Sequence, residues 1–114
     1  HQHYSRPAGS TATRSFLHAR ALAEAGHAVT VACGRYAGAA TGLTGAFRRG
    51  ARTGAPDGFA VREFDIACGN AQRLPARTAA FLRYAASASR VALGAPWDVV
   101  VASSTPLTVA IPAL

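Results

Sequence analysis

The chain has 114 residues, half of them hydrophobic, with 12 basic and five acidic side chains. This length holds one modest hydrophobic core, and the apolar content excludes a disordered chain. All the basic residues are arginine, and no apolar run reaches the roughly 18 residues needed to cross a bilayer.

A small-residue turn runs from Arg6 to Arg14, placed on the assumption that a strand precedes it and ends near His3. Residues 11–25 predict a helix: Phe16, Ala19 and Leu22 or Ala23 recur at helical spacing, and Gly26 stops it. Ser10 or Thr11 is placed to cap its start. Residues 27–33, short and β-branched, predict a buried strand of a parallel sheet. Residues 34–58 show little periodicity and read as a long functional or mobile loop that gathers Arg48, Arg49 and Arg52 around Phe47.

Residues 59–66 alternate imperfectly and predict a strand nearer an edge. Pro75 suits the start of a helix over residues 76–93, with Phe81, Ala85, Ala88 and Ala92 inward and Arg83 and Arg90 sharing another face. Gly94 and Pro96 end it. Residues 97–103, with their valine run, then predict a central parallel strand whose residues 99–102 neighbour residues 29–32, and Ser104-Thr105-Pro106 leads into another apolar helix. This order implies an α/β chain with a Rossmann-like, doubly wound, mostly parallel sheet. The missing initial methionine and the apolar residues 111–114 read as a piece of a longer protein.

In such sheets ligands bind outside the carboxyl ends of the strands. Three segments fall there: Gly9-Ser10-Thr11 running to Arg14, then Arg35-Tyr36, then Ser103-Ser104-Thr105. The first offers amides and a helix dipole to an anion, and reads equally as a plain connection. It is neither GxGxxG nor a Walker A loop. Ser103 lacks a GxSxG setting, and His27 reads as structural. The acids Glu24, Asp57, Glu63, Asp65 and Asp98 form no evident catalytic pair in sequence. Cys33 and Cys68 make no CxxC pair and read as reduced thiols, and with His1 and His3 they show no zinc-ligand spacing. Neither metal nor cofactor is expected.

Pro7 to Arg14, the string Ala21-Leu22-Ala23-Glu24-Ala25-Gly26-His27-Ala28-Val29-Thr30-Val31, and Trp97 to Leu107 together resemble family 4 glycosyltransferases of the GT-B fold. The helix with Arg77, Phe81, Arg83 and Tyr84 is similar to one in that family. The resemblance covers nearly the whole chain in order. It implies that residues 1–114 are a partial N-terminal, acceptor-side domain of a retaining transferase whose C-terminal donor-binding domain is absent, so that the piece alone is inactive. A nucleotide-sugar would be the donor, and a glycan or lipid-linked molecule the acceptor. Gly9, Ser10, Thr11 and Arg14 would lie near the donor diphosphate or the acceptor. Arg35, Tyr36, Ser103, Ser104 and Thr105 would line the cleft. The family usually carries a glycine pair where this chain has Gly9 followed by Thr11-Ala12, which holds a diphosphate farther from the backbone.

A lipid-linked acceptor would give Arg48, Arg49, Arg52 and Arg83 an anionic membrane surface to face, in a cytoplasmic or peripheral protein. Coding bias toward arginine is the competing account of the charge. Nucleic acid is not the expected partner, because the arginines are scattered without interleaved aromatics. A non-catalytic α/β binding domain is the other alternative.

Overall fold

The computed structural model describes residues 1–10, 13–69 and 71–103, and for Cys68 the backbone alone. In chain order the elements are α1 (Arg14–Glu24), β1 (Thr30–Tyr36), β2 (Ala51–Gly54), β3 (Ala60–Cys68) and α2 (Leu74–Leu93). The sheet is mixed, in the order β1-β3-β2. β1 and β3 are parallel, with Thr30 opposite Ala60, and the register shifts between Gly34 and Arg35. β2 and β3 form an antiparallel hairpin that sets Arg52 opposite Glu63 and Thr53 opposite Arg62.

Side-chain alternation along the strands divides the core in two. Val31, Cys33, Phe59 and Val61 meet Tyr4, Phe16 and Ala19 of the α1 side. Phe64 and Ile66 meet Ala80, Tyr84 and Ala88 of α2, with Ala32, Tyr36 and Val91 packed against them. A sheet buried on both faces explains why residues 59–66 alternate imperfectly: Phe59 and Val61 serve one core, Phe64 and Ile66 the other. β3 is therefore the central strand of this sheet, and not near an edge as its pattern suggests.

Helix α1 buries Phe16 and Ala19, with Ala23 taking the third inward position while Leu22 is exposed. Its N-cap is Thr13, without a side-chain cap bond, so Ser10 does not serve as the cap. Gly26 follows with φ +92°, a left-handed conformation that suits glycine. Helix α2 starts at Leu74 with Pro75 in its first turn. Its buried face is Ala80, Tyr84, Ala85 and Ala88, a rotation from the expected set that leaves Phe81 half-buried beneath the Arg77 guanidinium, 5.4 Å from the ring centre.

Two expectations change. Residues 34–58 are not one loop, because β1 continues through Tyr36 and β2 lies within them. Sequence Ala51-Arg52-Thr53-Gly54 has little strand character of its own, and pairing with β3 imposes it. Residues 99–102 do not form a strand, and Val99 and Val101 are 75% and 73% exposed. The edge of β1 that faces away from β3 is taken by the opening residues: the His1 amino group donates to Ala32 O (2.9 Å), and Gly34 N donates to Gln2 O (3.0 Å). The valine segment touches that layer where His1 Nδ1 donates to Ser103 O at 3.0 Å. A strand needs a ladder of such bonds, and one bond does not make it. Val29–Ala32 and Val99–Ala102 are thus not neighbouring interior strands.

Candidate functional site

The Gly9 turn lies against the backbone just beyond the end of β1. Arg6 N donates to Ala40 O (2.8 Å), and Ser10 N (2.9 Å) and Ser10 Oγ (3.2 Å) both donate to Gly38 O. Ala40 N in turn donates to Ser5 Oγ at 3.0 Å. Gly9 is required by space, since a Cβ there would meet Ser5 Oγ, Ala40 N at 2.8 Å and Gly38 O at 3.0 Å. Of the donors expected to face an anion, both of Ser10 are thus committed to Gly38 O, and Gly9 N donates to Arg6 O at 3.0 Å. Arg14 opens α1, exposed, in a first turn that holds no acidic residue. Thr11 lies outside the described residues.

At the carboxyl end of β1, Arg35 and Tyr36 border a cavity of about 330 Å³ completed by Ala67, Gly69 and Gln72. It lies at the carboxyl ends of the two parallel strands, where Arg35 pairs with Ala67. The edge of the His3 ring meets Tyr36 at 4.7 Å between centroids. Burial first, then the Arg77 guanidinium and the terminal ammonium, hold His3 below its ordinary value, so this imidazole favours its neutral form. Arg35 is anchored by Asp65 at 3.2 Å, and Gln72 Nε2 donates to Ala67 O at 3.0 Å. Ser103 is half-buried and meets His1 through its carbonyl. Ser104 and Thr105 lie outside the described residues.

The loop arginines divide. Arg52 reaches inward: its Nε and one terminal nitrogen each lie 2.7 Å from Glu63 Oε2, and its other terminal nitrogen donates to Gly45 O at 3.0 Å. Thr41 Oγ1 donates to the same Glu63 oxygen at 3.0 Å. Phe47 stacks over the Arg52 guanidinium at 4.6 Å. Glu63 is 3% exposed, so this cluster is a buried polar knot that ties residues 41–47 to the hairpin. Sequence reading missed Glu63. The available signal was its phase, two residues from Val61 on a strand whose inward positions are otherwise apolar. Arg48 and Arg49 stand at the exposed tip of a tight turn closed by Arg48 N to Ala51 O (2.8 Å) and Ala51 N to Arg48 O (3.2 Å). Arg83 is exposed on α2.

Near α1, Tyr4 is fully buried, and burial together with Asp57 and Cys33 pushes its phenol above the ordinary range, against the opposing Arg6. Arg6 pairs with Asp57 at 3.0 Å. Among the described residues no group of three His, Cys, Asp or Glu side chains is placed to hold a metal ion. No helix among them is long and apolar enough to cross a membrane. Comparison with family models, curated proteins and solved structures finds no match.

Proposed function

We propose that this α/β domain is the acceptor-side part of a retaining GT-B glycosyltransferase, transferring a sugar from a nucleotide-sugar to a glycan or lipid-linked acceptor. The observation that carries the reading is the cavity that Arg35 and Tyr36 border at the carboxyl end of β1. Open α/β sheets take their ligands at this edge. The doubly wound arrangement draws support from helices on opposite faces, from His1–Gln2 running beside β1, and from Ser103 beside His1. In this reading Tyr36 presents a ring to the acceptor and Gln72 an amide, while the donor is gripped by a second domain. The exposed Arg48, Arg49 and Arg83 then face the anionic surface that carries a lipid-linked acceptor, at the cytoplasmic side of a membrane. Arg52 has no part in that contact.

The test is transfer of radiolabelled sugar from a panel of nucleotide-sugars to lipid extracts by the protein encoded by the complete reading frame. A labelled product with retained anomeric configuration, lost in the Tyr36→Ala variant, is the expected result. A reading frame lacking a second α/β domain with an E-x7-E pattern, or no transfer across the panel, refutes the proposal. One observation favours a non-catalytic binding domain instead: both donors of Ser10 are committed to Gly38 O. Ligand binding without transfer by the complete protein is the outcome that reading predicts.

A further inference from the structure

Four of the twelve arginines face carboxylates. Arg6, Arg20, Arg35 and Arg52 face Asp57, Glu24, Asp65 and Glu63. Every carboxylate of the sheet and its hairpin turn therefore already has its arginine. The other eight arginines make no ion pair among the described residues. Two of these eight, Arg48 and Arg62, line one groove of about 730 Å³ between residues 42–46 and the β2–β3 hairpin. Its volume falls in the roughly 300–1,000 Å³ range of small-molecule sites.

The walls of this groove contain no acidic side chain. Arg52 forms part of them but is neutralised by Glu63 and tied to Gly45. Arg62 is directed by β3, opposite Thr53 of β2, with its guanidinium 6.0 Å from the Phe64 ring centre. Arg48 is fixed by the reciprocal bonds to Ala51. The turn it opens carries Arg49 at φ +52° and Gly50 at φ +79°. Arg49 itself lies outside the groove.

We propose that this groove is a phosphate site, in which Arg48 and Arg62 clamp a doubly charged phosphate group between the hairpin and the 42–46 loop. Two arginines that line one groove without a carboxylate partner suit a diphosphate or phosphate monoester in charge and in the fork shape of their guanidinium groups. The groove lies on the hairpin side of the sheet, and its residues are not those of the Arg35–Tyr36 cavity. The assignment therefore does not require the transfer reaction proposed above.

The source of the phosphate is either a free anion or a lipid headgroup, and two arms distinguish them. The 114-residue chain is titrated calorimetrically with inorganic pyrophosphate, and separately co-sedimented with phosphatidic acid vesicles against neutral phosphatidylcholine vesicles. The paired variant Arg48→Gln/Arg62→Gln is compared with Arg83→Gln/Arg90→Gln, which removes the same charge from α2. The single variant Arg48→Gln, at an exposed turn, keeps the comparison decisive if the pair disturbs the sheet. The expected result is binding in at least one arm, weakened about tenfold or more for each groove arginine lost and little changed by the α2 pair. Binding to pyrophosphate alone identifies a free phosphate ligand; binding to phosphatidic acid vesicles alone identifies a headgroup. Failure to bind in both arms overturns the proposal, as does an equal loss from both pairs.

Discussion

Replacing Arg52 by alanine should destabilise the domain far more than its place in a basic loop suggests. Glu63 is 3% exposed, and its Oε2 accepts from two Arg52 nitrogens at 2.7 Å and from Thr41 at 3.0 Å. The variant leaves this carboxylate buried with one hydroxyl donor, and breaking a buried pair from one side costs about 3–5 kcal/mol. The Arg52 side chain is 22% exposed, so water reaches the vacated position and the lower end, about 3 kcal/mol, is expected. At roughly 4–8 °C per kcal/mol for a domain near 100 residues, the midpoint falls by about 12–24 °C. Glu63→Gln should lose less, about 1–2 kcal/mol, because the amide oxygen still accepts and the freed guanidinium can turn to solvent. The assay is thermal and urea unfolding followed by circular dichroism for wild type, Arg52→Ala, Glu63→Gln, Glu63→Ala and the Arg52→Ala/Glu63→Ala double variant. A double loss well below the sum of the singles is expected. Strict additivity, or an Arg52→Ala loss under about 0.5 kcal/mol, would refute the buried knot.

Three further outcomes follow from the geometry. His3 titrates below its ordinary value in the folded chain, so its contribution to stability is present above about pH 6.5 and is lost as pH falls from there through the folded value; a His3→Phe variant should flatten that part of a stability-against-pH curve. Gly9→Ala forces a Cβ into Ser5 Oγ and the backbone of residues 38 and 40, and should cost about 1–3 kcal/mol in chemical denaturation. Arg49→Asn should raise stability by about 0.5–1 kcal/mol, since asparagine tolerates the positive φ of this turn; an unchanged or lowered unfolding midpoint would argue against the left-handed assignment.

The local elements were legible because their signals are local. The Phe16–Ala19 spacing, Gly26, Pro75 and Gly94 mark the two helices to within a few residues, and the β-branched run after Gly26 marks β1. β2 was not legible, because Ala51-Arg52-Thr53-Gly54 is a strand only through its partner. The valine run misled for the converse reason: high intrinsic preference does not supply a ladder of hydrogen bonds. At the site, the end of β1 was found from the general rule for such sheets. The commitment of Ser10 to Gly38 was invisible, since it depends on a contact across 28 residues. The two fates of the loop arginines were likewise hidden, because only the hairpin register decides that Arg52 meets Glu63 while Arg48 borders the groove with Arg62 of β3.

The division of the core by β3 has a consequence for how the chain reaches this state. Phe59 and Val61 belong to one half of the interior and Phe64 and Ile66 to the other, so neither half can close before this strand is in place. The β2–β3 hairpin needs only a short turn, whereas β1 must find β3 from residue 30 to residue 60. Closing the larger loop carries the greater entropic barrier, which makes the hairpin the early event and the arrival of β1 the slow one. Hydrogen exchange would then be slowest at the β3 amides, the strand on which both halves depend. A single disruptive change in β3 should abolish both helical layers together.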